Sequence, residues 1–190
     1  MASDSFHDLI RQVRAGDQNA AAGLVRLYES AIRRAVRFRL HDARLRSQFD
    51  SMDICQSVLA SFFVRAAAGQ YDIETPEQLV KLLTTMARNK LASQARKEFA
   101  RNRAVCQSAD PSAANEPWST EPDPSDESSA RELCREALMR LNAEERELVE
   151  LRQRGCDWDS IAREKNSTPV VLRKRLSRAL DRVLHEVGLE

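Results

Sequence analysis

Aromatic side chains are scarce in this chain, ten in 190 positions, and glycine is scarcer still at five. Strands draw on aromatic and β-branched residues, and sheets need frequent tight turns, so this shortage argues against a sheet-rich fold. No apolar run approaches the roughly 20 residues that span a bilayer. The opening stretch MASDSFHDLIRQVRAGD lacks the continuous apolar segment of a secretion signal. The expectation is a cytoplasmic protein with no membrane partner. Cys55, Cys106, Cys134 and Cys156 are scattered, with no C-x-x-C pair and no His at ligand spacing. That pattern points to reduced thiols in helical segments and to no metal site. His7, His41 and His185 also lie far apart, and no nucleophile–base pair or phosphate-binding loop occurs. No cofactor is implied, and the chain reads as a non-enzyme.

What the chain does contain is Ala, Leu, Arg and Glu in abundance, the strong helix formers. With 42% hydrophobic residues it can bury packed cores, and the expected class is all-α. The net charge of +1 conceals an uneven distribution. Residues 1–103 hold 17 Lys and Arg against 11 acids, residues 104–130 hold six acids and no base, and residues 131–190 hold 13 bases against 12 acids. A basic half followed by an acidic stretch suits a polyanion partner and a segment that must stay off it.

Helical spacing organises the chain into two modules. Phe6, Leu9, Ile10 and Val13 open the first, and Gly16-Asp17 interrupts it. Leu24, Leu27, Tyr28, Ala31, Ile32 and Ala35 then form one stripe, and Ile54, Val58, Leu59, Phe62 and Phe63 another. Thr75 offers an N-cap, Pro76 the first helical position and Gln78 the third residue of a capping box. The segment AVCQSADPSAANEPWSTEPDPSDES, residues 104–128, is rich in Pro, Ser and acid and reads as a flexible linker. The expected domains are therefore 1–103, a linker over 104–128, and a second helical domain over 129–190.

The densest signal lies near the end. Asp157 can cap a short helix, WDSIAREK, and Thr168-Pro169 can start a longer one after a turn at Asn166-Ser167, which are helix-turn-helix proportions. At 100° per residue, Leu172, Leu176, Ala179 and Val183 share one side of the last helix. Val170, Lys174, Ser177, Arg178 and Asp181 share the other, with Val171 beside them and Arg173 and Arg175 on the flanks. Such a face suits major-groove reading, with base-edge contacts near the helix start and phosphate contacts around them. A solvated basic face on a helical hairpin would carry the same charges. The Ile161-Ala162 pair, the turn and the cap favour DNA.

The stretch LNAEERELVELRQRGCDWDSIAREKNSTPVVLRKRLSRAL resembles the fourth-region domain of sigma-70-type factors. It shares the L-x-x-x-E-R start, the Gly-x-x-aromatic-x-x-Ile-Ala helix and the Ser-x-Arg-Leu-x-Arg-Ala type of recognition helix, here Lys174-Arg175-Leu176-Ser177-Arg178-Ala179. In the first half, Asp50-Ser-Met-Asp53-Ile54-Cys55-Gln56 followed by Phe62-Phe63 resembles the helix by which sigma factors dock on the polymerase clamp. The segment Leu82 to Leu91 resembles the W-L-x-x-I-A-x-N run that leads into −10 promoter recognition. Both modules in this order, without an intervening third region, are similar to the extracytoplasmic-function (ECF) group.

The resemblance implies core RNA polymerase and promoter DNA as partners, and it leaves open an anti-sigma factor as a third. Asp50, Asp53, Gln56 and Phe63 would bind core polymerase. Tyr71, Arg88, Asn89, Ser93, Arg96 and Lys97 would face −10 DNA, and Val171, Arg173, Lys174, Ser177 and Arg178 would face −35 DNA. The chain departs from the pattern in having Leu82 where Trp is usual, Ser93 for a common Asp, and Val170-Val171 for Gly-Thr. The alternative reading is a stand-alone helix-turn-helix regulator whose first half senses a partner or ligand.

The tether yields a prediction. Limited proteolysis should cut first between residues 106 and 128 and leave two folded helical pieces. Resistance of that segment, or a single surviving piece, would rule out the two-module organisation.

Overall fold

The computed structural model describes residues 2–39, 51–107 and 127–189, and among these residues all regular structure is helical. Helices α1 (Ala2–Arg14), α2 (Gln18–Arg39), α3 (Ser51–Ala67) and α4 (Pro76–Gln107) come from the first half. Helices α5 (Glu127–Met139), α6 (Ala143–Gln153), α7 (Trp158–Glu164) and α8 (Pro169–Glu186) come from the second. The all-α expectation holds.

Each helix of the first set buries the stripe that its spacing dictates. Phe6, Ile10 and Val13 of α1 meet Leu24 and Ile32 of α2, Ile54, Val58 and Phe62 of α3, and Leu79, Leu83 and Leu91 of α4 in one core. Leu27, counted with the α2 stripe in the sequence, is instead 64% exposed. It sits at the edge of an arc centred on Leu24 and Tyr28. Helix α4 starts as its cap residues require, since Thr75 Oγ1 accepts the Gln78 N–H at 3.3 Å. The return bond reaches one residue further back than a capping box would take it, from the Glu74 N–H to Gln78 Oε1 at 2.9 Å.

The second set closes around Trp158, Ile161, Leu176, Leu180 and Leu184, all essentially inaccessible. Its caps are well formed. Asn142 and Glu145 exchange side-chain and backbone bonds in a capping box at the start of α6, Asp157 caps α7, and Thr168 caps α8 with Pro169 behind it. Each such cap contributes about 1 kcal/mol. Between α7 and α8 the chain turns at Asn166 with φ of 48°, a left-handed conformation that Asn tolerates.

The two sets are not held apart. Val64 and Ala68, from the end of α3, are fully buried and belong to the second core, not the first. The carbonyls that α3 leaves unpaired at its C-terminus are satisfied from α6: Gln153 Nε2 donates to Ala67 O at 3.0 Å, and Arg152 Nε donates to Gly69 O at 2.8 Å. In return, the Leu189 carbonyl accepts from Ser57 Oγ at 3.0 Å and Lys90 Nζ at 2.6 Å. Independent modules on a tether would leave all of these groups to water.

Gly69 is where the two backbones come closest. Its φ is 68°, and a Cβ built there would stand 2.6 Å from Cβ of Arg152. Gly16 has a similar φ of 78° with nothing within 4 Å, so the pair separates backbone strain from contact. Gly16→Ala should cost only the left-handed penalty, about 1 kcal/mol. Gly69→Ala should cost more and lower Tm by about 5–10 °C, at roughly 2–4 °C per kcal/mol for a chain of this size. Equal drops in a thermal melt would mean that the close approach contributes nothing.

Candidate nucleic-acid interface

Helix α8 sorts its residues as the projection from the sequence requires. Leu172, Leu176, Ala179, Leu180, Val183 and Leu184 are buried. Val170 and Val171 are 58% and 55% exposed, and Arg173, Lys174, Arg175 and Arg178 are exposed as well.

Val171, Lys174, Arg175, Arg178 and Arg182 line one shallow basic groove, floored by Glu145 of α6. Arg182 pairs with Glu145 at 2.7 Å, and Arg175 pairs with Glu144. Lys174 and Arg178 have no acidic partner among the described residues, so two cations four residues apart project together from the same face. Arg173 points another way. Its guanidinium lies 5.9 Å from the centre of the Trp158 ring and 3.8 Å from Asp72 of the first set. Ser177 is half-buried and faces a cleft between the two sets instead of the basic groove.

Helix α7 is the positioning element. Asp157 accepts the Ser160 N–H at 2.7 Å. That backbone bond, and then the Ser160 hydroxyl, hold the carboxyl below the usual carboxylate range. Trp158 is 1% exposed and fixes α7 against the core. Arg152, whose side chain is 7% exposed, lies over the Trp158 ring at 4.9 Å and donates to Cys156 O at 2.8 Å.

On α4, Asn89, Ser93, Arg96 and Lys97 recur along one face, with Arg88 on its flank. Ser93 is half-buried and the other four are exposed. Tyr71 lies at the head of this face. Its ring stacks on Phe62 at 6.3 Å with an interplanar angle of 8°. Its hydroxyl donates to Met86 Sδ at 3.8 Å, and its carbonyl accepts from Arg14. Burial lowers the Arg14 pKa, the nearby Arg152 cation lowers it further, and Asp72 opposes both.

On α3, Asp53 and Gln56 are exposed on a common edge, whereas Asp50 lies outside the described residues. Phe63 is two turns from Gln56 and half-buried. It packs on the first core and lines a groove of about 720 Å³ that includes Cys134 and Leu138 of α5. Burial raises the Cys55 and Cys134 thiols above their usual pKa, which keeps both protonated.

The residues that sequence reasoning missed are those joining the halves: Arg65, Asp72, Arg152 and Asp181. One signal was available, since Arg65 interrupts an apolar run, Phe62-Phe63-Val64-Arg65-Ala66-Ala67. It is 5% exposed, and it donates to Asp181 Oδ1 at 2.7 Å and to Gln70 Oε1 at 3.3 Å.

No helix among the described residues is long and apolar enough to cross a membrane. A comparison with curated proteins gives no match. The family profile described as ECF sigma factor matches residues 3–182, which takes in the α3–α4 surface and the α7–α8 unit together. The chain therefore belongs to the ECF sigma factor family, non-enzymatic proteins that direct RNA polymerase to promoters.

Proposed function

We propose that α8 reads −35 DNA in the major groove, that the α4 face with Tyr71 engages −10 DNA, and that the Asp53–Gln56 edge of α3 docks on core polymerase. In this reading residues 1–103 and 129–190 are the two binding domains, and 104–128 is the tether between them. The observation that carries it is the division of α8, with six apolar residues buried and Val171, Lys174 and Arg178 exposed without an acidic partner.

Roles follow from side-chain chemistry. Arg178 and Lys174 suit bidentate or single contacts to guanine O6 and N7, and Val171 suits apolar contact with a thymine methyl. Arg173, on the flank, suits phosphate. On α4, Arg88, Arg96 and Lys97 suit the backbone of the opened strand, and Asn89 and Ser93 can hydrogen-bond bases or sugars. Aromatic stacking is worth about 1–3 kcal/mol per base. With Leu82 in place of Trp, Tyr71, half-buried in the loop before α4, is the aromatic side chain proposed to stack on a base. An anti-sigma factor would act by covering the same surfaces, and the work itself belongs in the cytoplasm with polymerase and DNA. The alternative of a stand-alone regulator is disfavoured because the family match spans both halves of the chain.

Two experiments test this reading. Reversing the exposed Asp53 to Arg should weaken core polymerase binding by about tenfold, the loss of one or two charge contacts, while circular dichroism stays unchanged. Co-elution of the folded variant at wild-type affinity would remove α3 from the docking site. For α8, Arg178→Ala should lower transcription from the cognate promoter and relax preference at one or two −35 positions, a discrimination of about 1–3 kcal/mol. Arg173→Ala should weaken binding to all sequences alike and flatten the salt dependence. Unchanged affinity and preference in Arg178→Ala, measured on a −35 library, would mean that another face reads DNA.

A further inference from the structure

The part of α4 beyond Leu91 leaves the first core. Leu91 is 9% exposed and is the last buried residue of the helix among those described. Two turns further on stands Phe99, 61% exposed. A single apolar side chain in water is ordinary on a protein surface. Phe99 is set apart by its neighbours. Arg88, Ala92, Arg96 and Phe99 recur at i, i+4, i+8 and i+11, so they share one stripe of the helix, and all four are exposed. Arg88 and Arg96 have no acidic partner among the described residues.

We propose that this stripe lies in the major groove of the promoter duplex immediately upstream of the −10 element, with Phe99 packed on the methyl group of a thymine there. The proposal rests on the reading of α4 as the −10 face and adds to it a base pair that the helix reads by apolar contact. Shape decides for a duplex over an opened strand. Unpaired strands are held in charged grooves. From Arg96 to Ala100 the described residues of α4 are all exposed, so this part of the helix is a convex rod. With side chains such a rod is about 10–12 Å across, which matches the roughly 12 Å width of a major groove. Arg88 and Arg96 supply charge complementary to phosphate, and the stripe is continuous with the face that carries Asn89, Ser93 and Lys97. Phenylalanine is one of the side chains that recognise the thymine methyl group.

Distance along the helix limits where that thymine lies. Phe99 is ten positions beyond Asn89, which is about 15 Å at about 1.5 Å per residue. That length spans at most about five base pairs at roughly 3.4 Å each. Base pairs on the downstream side open, and an opened pair has no major groove. The thymine therefore belongs to the duplex, within about five pairs upstream of those facing Asn89.

The experiment uses holoenzyme reconstituted with the full chain and a fork-junction DNA, duplex upstream of the −10 element and single-stranded within it. Each pair in that upstream window is set in turn to T·A and to A·T, and each such thymine is then replaced by uracil, which lacks only the methyl group. At one position the wild type should bind thymine about fourfold more tightly than uracil, the effect of moving one methyl group out of water. In Phe99→Ala the preference should vanish at that position, while circular dichroism and affinity for core polymerase stay at wild-type values. No position with a methyl preference, or a preference that survives in Phe99→Ala, would overturn the proposal. Loss of core affinity in Phe99→Ala would overturn it too, since Phe99 would then face polymerase. Asn89→Ala in the same assay separates this proposal from the reading on which it rests. Weaker fork binding by Asn89→Ala, with no methyl preference that depends on Phe99, removes Phe99 alone. Unchanged fork binding by Asn89→Ala, again with no such preference, removes the −10 face as well.

Discussion

The arrangement of the two halves depends on the Arg152 guanidinium. It leaves α6, lies over the indole of Trp158, and spends its donors on Cys156 O within its own domain and on Gly69 O and Asp72 in the other. A guanidinium is suited to this because its planar donors can serve several acceptors in fixed directions while its face rests on an aromatic ring. The same Trp158 ring sets the depth of α7 and also takes the side chain of Arg173 from α8. One aromatic residue therefore links the docking of the short helix, the placement of Arg173 and the contact between the two helical sets. Lysine at position 152, with a single charged nitrogen, could not make these contacts together.

Most of the secondary structure was legible in the sequence, because the relevant signals are local. Thr168-Pro169, Asp157 and Thr75-Pro76 mark helix starts by supplying an acceptor for an unpaired N–H. All three do so in the fold. The division of α8 was legible for the same reason, since a period of 3.6 residues separates the Leu172–Leu176 side from the Lys174–Arg178 side without knowledge of what covers either. Leu27 marks the limit of such reasoning. Periodicity gives the centre of an apolar arc but not its width, which depends on how closely neighbouring helices wrap it.

What the sequence did not disclose is the packing of one half on the other. Long-range pairs such as Arg65–Asp181 are 116 positions apart, and no local pattern encodes them. Composition pointed the opposite way, because a Pro- and acid-rich tether is the usual mark of domains that move separately. The one available sign was a charged residue inside an apolar helix. Arg65 could equally have been read as a snorkelling side chain. Only its neighbours in space show that it is buried and paired.

The tether and the contact between domains are better understood together than as opposites. Residue 107 ends α4 and residue 127 begins α5, so the domains can never separate by more than the intervening chain permits. Short flexible linkers in general set an effective concentration on the order of millimolar. At that concentration a contact worth only about 4 kcal/mol between free domains is half closed. Burying Val64 alone contributes about 1.5–3 kcal/mol, and the charge-assisted bonds of Arg65 and Arg152 add to it. A contact of this strength keeps the domains together when nothing else binds them. No closure at all would leave Val64 and Ala68 exposed to water.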